Sequence, residues 1–131
     1  MRVVFDTNIF VSALARPGGR AEQALAHVID GRDTLLLSKA ILLETLSVLA
    51  RKFGRDTEEL ARVAVFLSDT ARLVEPKRKL RIFEDEPDNR ILECALEGKA
   101  DAVVTGDQAM LRLGRYESIR IISLSDYLAE R

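Results

Sequence analysis

Val3-Val4-Phe5-Asp6-Thr7-Asn8 near one end of the sequence and Ala102-Val103-Val104-Thr105-Gly106-Asp107 near the other carry the reading of the fold. Each is a short run of apolar, mostly β-branched residues that breaks into an acid and a helix-starting residue, the pattern of a buried strand delivering a carboxylate at its end. Strands that are unbroken apolar runs rather than alternating ones belong in a sheet covered on both faces. Leu35-Leu36-Leu37, Arg72-Leu73-Val74 and Ile119 to Ile122 supply three more.

Helical patterns lie between these strands. Ile9 to Leu14 is followed by the breaker Pro17-Gly18-Gly19, and Arg20 to Asp30 stops at Gly31. Ser38 caps a helix from Lys39 to Phe53 that Gly54 ends, and Thr57 to Ser68 is helical again. Pro87 opens a helix through Leu96 to Gly98, Asp107 caps a short one through Leu111, and Ser125 to Glu130 is a terminal helical turn. Alternation of strand and helix predicts a largely parallel sheet with right-handed crossovers, hence an α/β fold built as a three-layer α/β/α sandwich. The length, 131 residues, predicts one domain spanning 1–131.

Composition narrows the chemistry. Twenty Lys plus Arg against 21 Asp plus Glu leave a net charge of −1, so nucleic acid contact has to be local rather than chain-wide. The longest apolar run, Val63 to Leu67, is far below the roughly 18 residues of a membrane span. Asp6 interrupts any signal-like core, and a cytoplasmic location is expected. One Cys and one His rule out an internal disulfide and cysteine- or histidine-rich zinc sites. Cys94 falls among Ile91, Leu92, Ala95 and Leu96 and reads as a small core residue, whereas His27 falls off the stripe Ala21, Ala24, Leu25, Val28 and Ile29 and reads as a surface residue.

In open parallel sheets, ligands bind beyond the carboxyl ends of the strands. Asp6 and Asp107 follow strands there directly. Asp88 opens the helix that precedes the strand Ala102 to Val104, and a helix start one crossover before a strand lies at the same edge. Glu44 shares a helix face with Ile41 and Val48, which turns it inward. Taken singly, Asp88 and Asp107 are good helix caps. Four converging carboxylates without cationic partners repel one another and call for a cation, and hard oxygen ligands suit Mg²⁺ with Mn²⁺ as substitute. Metal-assisted displacement at phosphorus follows from such a site and needs no histidine.

Asp6-Thr7-Asn8, Glu44, Pro87-Asp88-Asn89 and Val104-Thr105-Gly106-Asp107, in this order, resemble the PIN domain nucleases. The stretch Asp6 to Leu14 and the segment Pro87 to Asp107 look most like the bacterial and archaeal group described as toxin components of toxin–antitoxin systems, akin to VapC. The resemblance implies a five-strand parallel sheet of order 3-2-1-4-5 and a metal-dependent endoribonuclease. Its catalytic and metal-binding acids would be Asp6, Glu44, Asp88 and Asp107, supported by Asn8 and Thr105. It also implies an RNA substrate, a small antitoxin partner and a homodimer. Asp85 and Glu86 precede Asp88, and either can share its role.

Lys77-Arg78-Lys79-Leu80-Arg81, with Arg112, Arg115 and Arg120, are the candidate RNA contacts, with a solvated basic loop as the plain reading of the run. No aromatic interleaves it, so contact with the backbone is expected rather than a code read by stacking. Two other classes compete: a PIN scaffold that binds RNA or protein without cutting, and a receiver-like signalling module. The second needs an Asp after its third strand and a Lys after its fifth, where this chain has Glu75-Pro76 and Ser123-Leu124.

Overall fold

A computed structural model describes residues 1–130. The sheet is built around β1 (Arg2–Phe5), whose Val3, Val4 and Phe5 are fully buried. It pairs in parallel with β2 (Thr34–Ser38) on one side, Val3 opposite Leu35, and with β4 (Ala102–Val104) on the other, Val4 opposite Val103. The edge strand β3 (Arg72–Val74) adds in parallel to β2, and β6 (Ile119–Ile122) in parallel to β4. These five parallel strands are those expected from the apolar runs, in the expected spatial arrangement.

The expected five-strand sheet of order 3-2-1-4-5 is corrected to six strands in the order β3-β2-β1-β4-β6-β5. The added strand, β5 (Arg115–Tyr116), is antiparallel to β6 and closes a tight hairpin with Arg115 opposite Arg120. Two residues, one of them charged, give no apolar run, so nothing local marks them as a strand. Pairing with β6 creates it, through a turn in which Glu117 adopts a φ of 51°.

Helices cover both faces: α1 (Thr7–Ala15), α2 (Arg20–Ile29), α3 (Lys39–Phe53), α4 (Thr57–Thr70), α5 (Glu86–Glu97), α6 (Gln108–Leu113) and α7 (Leu124–Ala129). The caps follow local chemistry. Ser38 accepts from the Ile41 amide, Asp56 from Glu59, Asp107 from Met110 and Ser123 from Asp126, each satisfying an amide that the helix cannot. Gly54 ends α3 in the left-handed conformation at a φ of 61°, where a side chain is costly. Phe5 packs on Phe10 and edge-on to Tyr127, with ring centroids 5.8 and 5.7 Å apart, and this aromatic trio ties the sheet to α1 and α7.

Cys94 is fully buried and its thiol is pushed up to about 12 by that burial, in line with a core role. His27 is half-buried rather than on the surface, because the C-terminal α7 brings Tyr127 edge-on to its ring. Ile29, expected in the buried stripe of α2, is 55% exposed. No described helix is long and apolar enough to cross a membrane.

Candidate metal centre

Parallel strands all end on one side of the sheet, and the acids gather there. Asp6 follows β1 and caps α1, and its amide extends the ladder by donating to the Val104 carbonyl at 3.0 Å. Its side chain is buried, and Oδ2 accepts a 2.6 Å hydrogen bond from the Thr105 hydroxyl. Oδ1 receives a long one, 3.5 Å, from the Asn8 amide. Thr105, fully buried just past β4, also accepts from the Asp107 amide at 3.0 Å. One hydroxyl therefore links the ends of the two central strands and sets the spacing between Asp6 and Asp107.

Asp88 sits in the first turn of α5 and is 5% exposed. Oxygens of Asp85, Asp88 and Asp107 lie within 4.8 Å of one another. Burial, then the charges of Asp107, Asp6 and Asp85, push the Asp88 carboxyl up to about 7. Asp6 is raised as well, chiefly by burial and further by Asp107, with the bonds from Thr105 and Asn8 opposing. Near neutral pH this group is a set of carboxylates with an unmet demand for positive charge.

The structure brings Asp88 and Asp107 together with Asp85, one of the two acids left open by sequence; Asp6 lies outside that close group, near enough for its charge to act on Asp88. Glu86 is otherwise engaged, in an ion pair with Arg90 at 3.1 Å. Glu44 is not among the carboxylates within 4.8 Å of one another. It is half-buried beside Ile41 and Val48, as its helix face predicts, and lines a cleft of about 150 Å³ with Thr7, Glu86, Pro87 and Arg90. Asn8 contributes its amide to Asp6, and its side chain is exposed.

Comparison with known proteins resolves the family. A family model described as PIN domain matches residues 2–109, from the first strand through the capping acid of α6. The chain belongs to the PIN domain family. The chain is similar to the uncharacterized protein MJ1680 of Methanocaldococcus jannaschii, 29% identical over 117 residues that make up 86% of this chain and 75% of the relative. Its fold is similar to that in the crystal structure of VapBC2 from Rickettsia felis bound to a DNA fragment from their promoter. There the TM-score is 0.67 at 17% identity, over 94% of this chain and 98% of that one. VapBC-1 from nontypeable Haemophilus influenzae matches with a TM-score of 0.65 at 16% identity, over 95% and 99% of the two chains. At these identities the likeness is one of fold, and it covers nearly the whole PIN domain.

Sequence patterns missed one feature next to this centre. The segment 75–85 is not a loose loop: Asn89, Arg90 and Glu93 of α5 hold its backbone. The amides of Ile82 and Phe83 donate to Asn89 Oδ1 at 3.0 and 2.8 Å, the Leu80 amide donates to Glu93 Oε2 at 2.8 Å, and Arg90 reaches the Leu80 carbonyl at 3.4 Å. The signal present in the sequence was the pair Asn89 and Glu93, four residues apart on one face of α5 and both buried.

Proposed function

We infer that this PIN domain is a divalent-metal-dependent endoribonuclease that hydrolyses RNA phosphodiester bonds, and that it is the toxin of a type II toxin–antitoxin pair. The observation that carries the reading is the close group of Asp85, Asp88 and Asp107, with oxygens within 4.8 Å of one another, a pKa of about 7 at Asp88, and Asp6 beside it. Hard carboxylate oxygens crowded in this way fit Mg²⁺ or Mn²⁺ better than any softer ion. Asp6, Asp88 and Asp107 would hold the metal with help from Asp85, and Glu44 would act from the adjoining cleft. When bound, the ion supplies an activated water and charge stabilisation at the phosphate.

The residues of the chain do the rest. Thr105 orients Asp6 through a hydrogen bond to Oδ2, while Oδ1 carries only the long bond from the Asn8 amide, and the same hydroxyl holds the Asp107 backbone. The proton that Asp88 retains up to about pH 7 would be given up when positive charge arrives between it and its neighbours. The fold shared with the two VapBC structures supports an antitoxin as partner; a homodimer and a cytoplasmic location belong to the same reading.

Purified protein is expected to degrade RNA with Mg²⁺ or Mn²⁺ and to stop in chelator. Asp6→Asn and Asp107→Asn are each expected to abolish cleavage with the circular dichroism spectrum unchanged. Cleavage that persists in chelator, or in both variants, overturns the nuclease reading. Growth arrest on expression, relieved by co-expressing a neighbouring small reading frame, tests the toxin role separately.

A further inference from the structure

Asp85 occupies the N-cap position of α5, where an acid ordinarily accepts a hydrogen bond from a free amide of the first turn. Its side chain makes no such bond. The aspartates in the same position on other helices do: Asp6 accepts from Asn8, Asp56 from Glu59 and Asp107 from Met110. The Asp85 carboxylate stands with those of Asp88 and Asp107 instead. Asp88 is 5% exposed, and among the described residues no N–H or O–H donates to its carboxyl. The charges that bear on it, of Asp107, Asp6 and Asp85, are all negative. A buried carboxyl without a donor, faced by other acids, leaves room for a cation as its partner, and Asp85 forgoes its cap to join it.

Little around Asp85 itself fixes it there. Glu84 and Asp85 are exposed, and residues 75–85 form neither helix nor strand. On its C-terminal side Asp85 joins α5 through its carbonyl, which accepts from the Asp88 amide at 3.1 Å. On its N-terminal side the nearest hydrogen-bonded anchor is two residues away, and Asn89 makes it. Asn89 Oδ1 accepts from the Ile82 and Phe83 amides at 3.0 and 2.8 Å, and Nδ2 donates to the Phe83 carbonyl at 2.9 Å. Both lone pairs of Oδ1 are thereby used, and three bonds on two adjacent residues fix the orientation of the backbone as well as its position. Asn89 is fully buried, and none of its bonds goes to a carboxylate. Consecutive side chains leave a helix about 100° apart. One turn of α5 therefore carries Asp88 into the centre directly and, through Asn89, sets the path along which the chain delivers Asp85.

We propose that Asn89 is a positioning residue of the metal centre, acting through Ile82 and Phe83 to hold the Asp85 carboxylate beside Asp88 and Asp107. The proposal rests on the metal-dependent reading above and concerns how that centre is assembled. An exposed acid on an unrestrained segment loses conformational freedom when it takes up a ligand, and fixing the segment beforehand removes that cost from binding. The competing role for Asn89 is stability alone, since the half-buried Phe83 side chain also packs against the core and could anchor the segment by itself.

The test is calorimetric titration with Mn²⁺ of the full chain as wild type, Asn89→Ala, Asp85→Asn and the double variant. Asn89→Ala is expected to bind about 10-fold more weakly, as Asp85→Asn does. The double variant should bind within about 2-fold of Asp85→Asn, because a residue that acts through Asp85 has nothing left to position once that carboxylate is gone. Wild-type affinity in Asn89→Ala overturns the proposal, and so does a double variant in which the two losses multiply to about 100-fold.

A second measurement needs no change at Asn89, and so decides the matter even if Asn89→Ala does not fold. Coupling between two sites is reciprocal, so a segment that supports metal binding must itself be steadied by the metal. Saturating Mg²⁺ is expected to slow hydrogen exchange of the Ile82 and Phe83 amides several-fold more than that of the Leu60 amide in α4, which bonds to the Asp56 carbonyl. In Asp85→Asn this difference should vanish. Equal slowing at all three amides of the wild type, or a difference that persists in Asp85→Asn, overturns the proposal. The metal reading fails differently, by absence of any Mn²⁺ binding in the wild type, which would overturn both.

Discussion

The hydroxyl of Thr105 donates to Oδ2 of Asp6 at 2.6 Å, joining two residues 99 positions apart in the chain at the ends of adjacent strands. Both are buried, so the bond is made in a setting where neither partner has water as an alternative. Thr105→Val keeps the shape and removes the donor, leaving a buried carboxylate short of one bond. A loss of about 1–3 kcal/mol in urea unfolding is expected. Cleavage should fall about 10- to 100-fold, the usual cost of removing a partner that orients a metal ligand. Thr105→Ser restores the donor and should recover most of both.

The Asp88 carboxyl is raised from 3.8 to about 7, so between those values the folded protein binds a proton that the unfolded chain has released. Stability therefore falls as pH rises through that window. The shift corresponds to at most about 4 kcal/mol. Metal-free protein is expected to melt at a lower temperature at pH 8 than at pH 5, with Mn²⁺ restoring more at pH 8. Asp88→Asn should flatten the pH dependence and stabilise the metal-free protein at pH 8 while removing cleavage.

Asp85 is exposed yet belongs to the close carboxylate group, and Glu44 is half-buried yet outside it. Their substitutions should separate. Calorimetric titration with Mn²⁺ is expected to show about 10-fold weaker binding for Asp85→Asn. Glu44→Gln should bind Mn²⁺ nearly as the wild type and lose cleavage rate instead.

Asn89 is fully buried and makes three hydrogen bonds to the segment 75–85, two accepted from Ile82 and Phe83 and one donated to Phe83. Asn89→Ala strands two amides and a carbonyl, for which a loss of about 2–4 kcal/mol is expected in denaturant unfolding. Hydrogen exchange of Ile82 and Phe83 should accelerate even where the global stability is restored by added salt or osmolyte.

Gly98, which ends α5, lies against β2 and β3. A Cβ there would meet Leu36 Cδ1 at 2.7 Å and Val74 Cγ2 at 3.2 Å. Gly98→Ala is expected to cost about 1–3 kcal/mol by overpacking, seen as a lower melting temperature, with metal affinity nearly unchanged.

The order of elements, and the acids at the ends of β1 and β4, are legible in the sequence because their causes are local. A strand buried on both faces must be a continuous apolar run such as Val3-Val4-Phe5, and a helix start needs an oxygen-bearing residue such as Ser38 or Asp107 within reach of its free amides. Packing between distant segments decided the rest. Asp85 joins the carboxylates only because α5 docks its first turn beside the end of β4. The strand β5 exists only through pairing with β6, His27 is half-covered only because α7 returns Tyr127 to it, and the backbone of segment 75–85 is held only by side chains 6 to 20 positions away. Periodicity and capping report on neighbours within a few residues. Packing closed over many tens of residues leaves no period behind, and here it turns carboxylates at one sheet edge into a candidate metal centre.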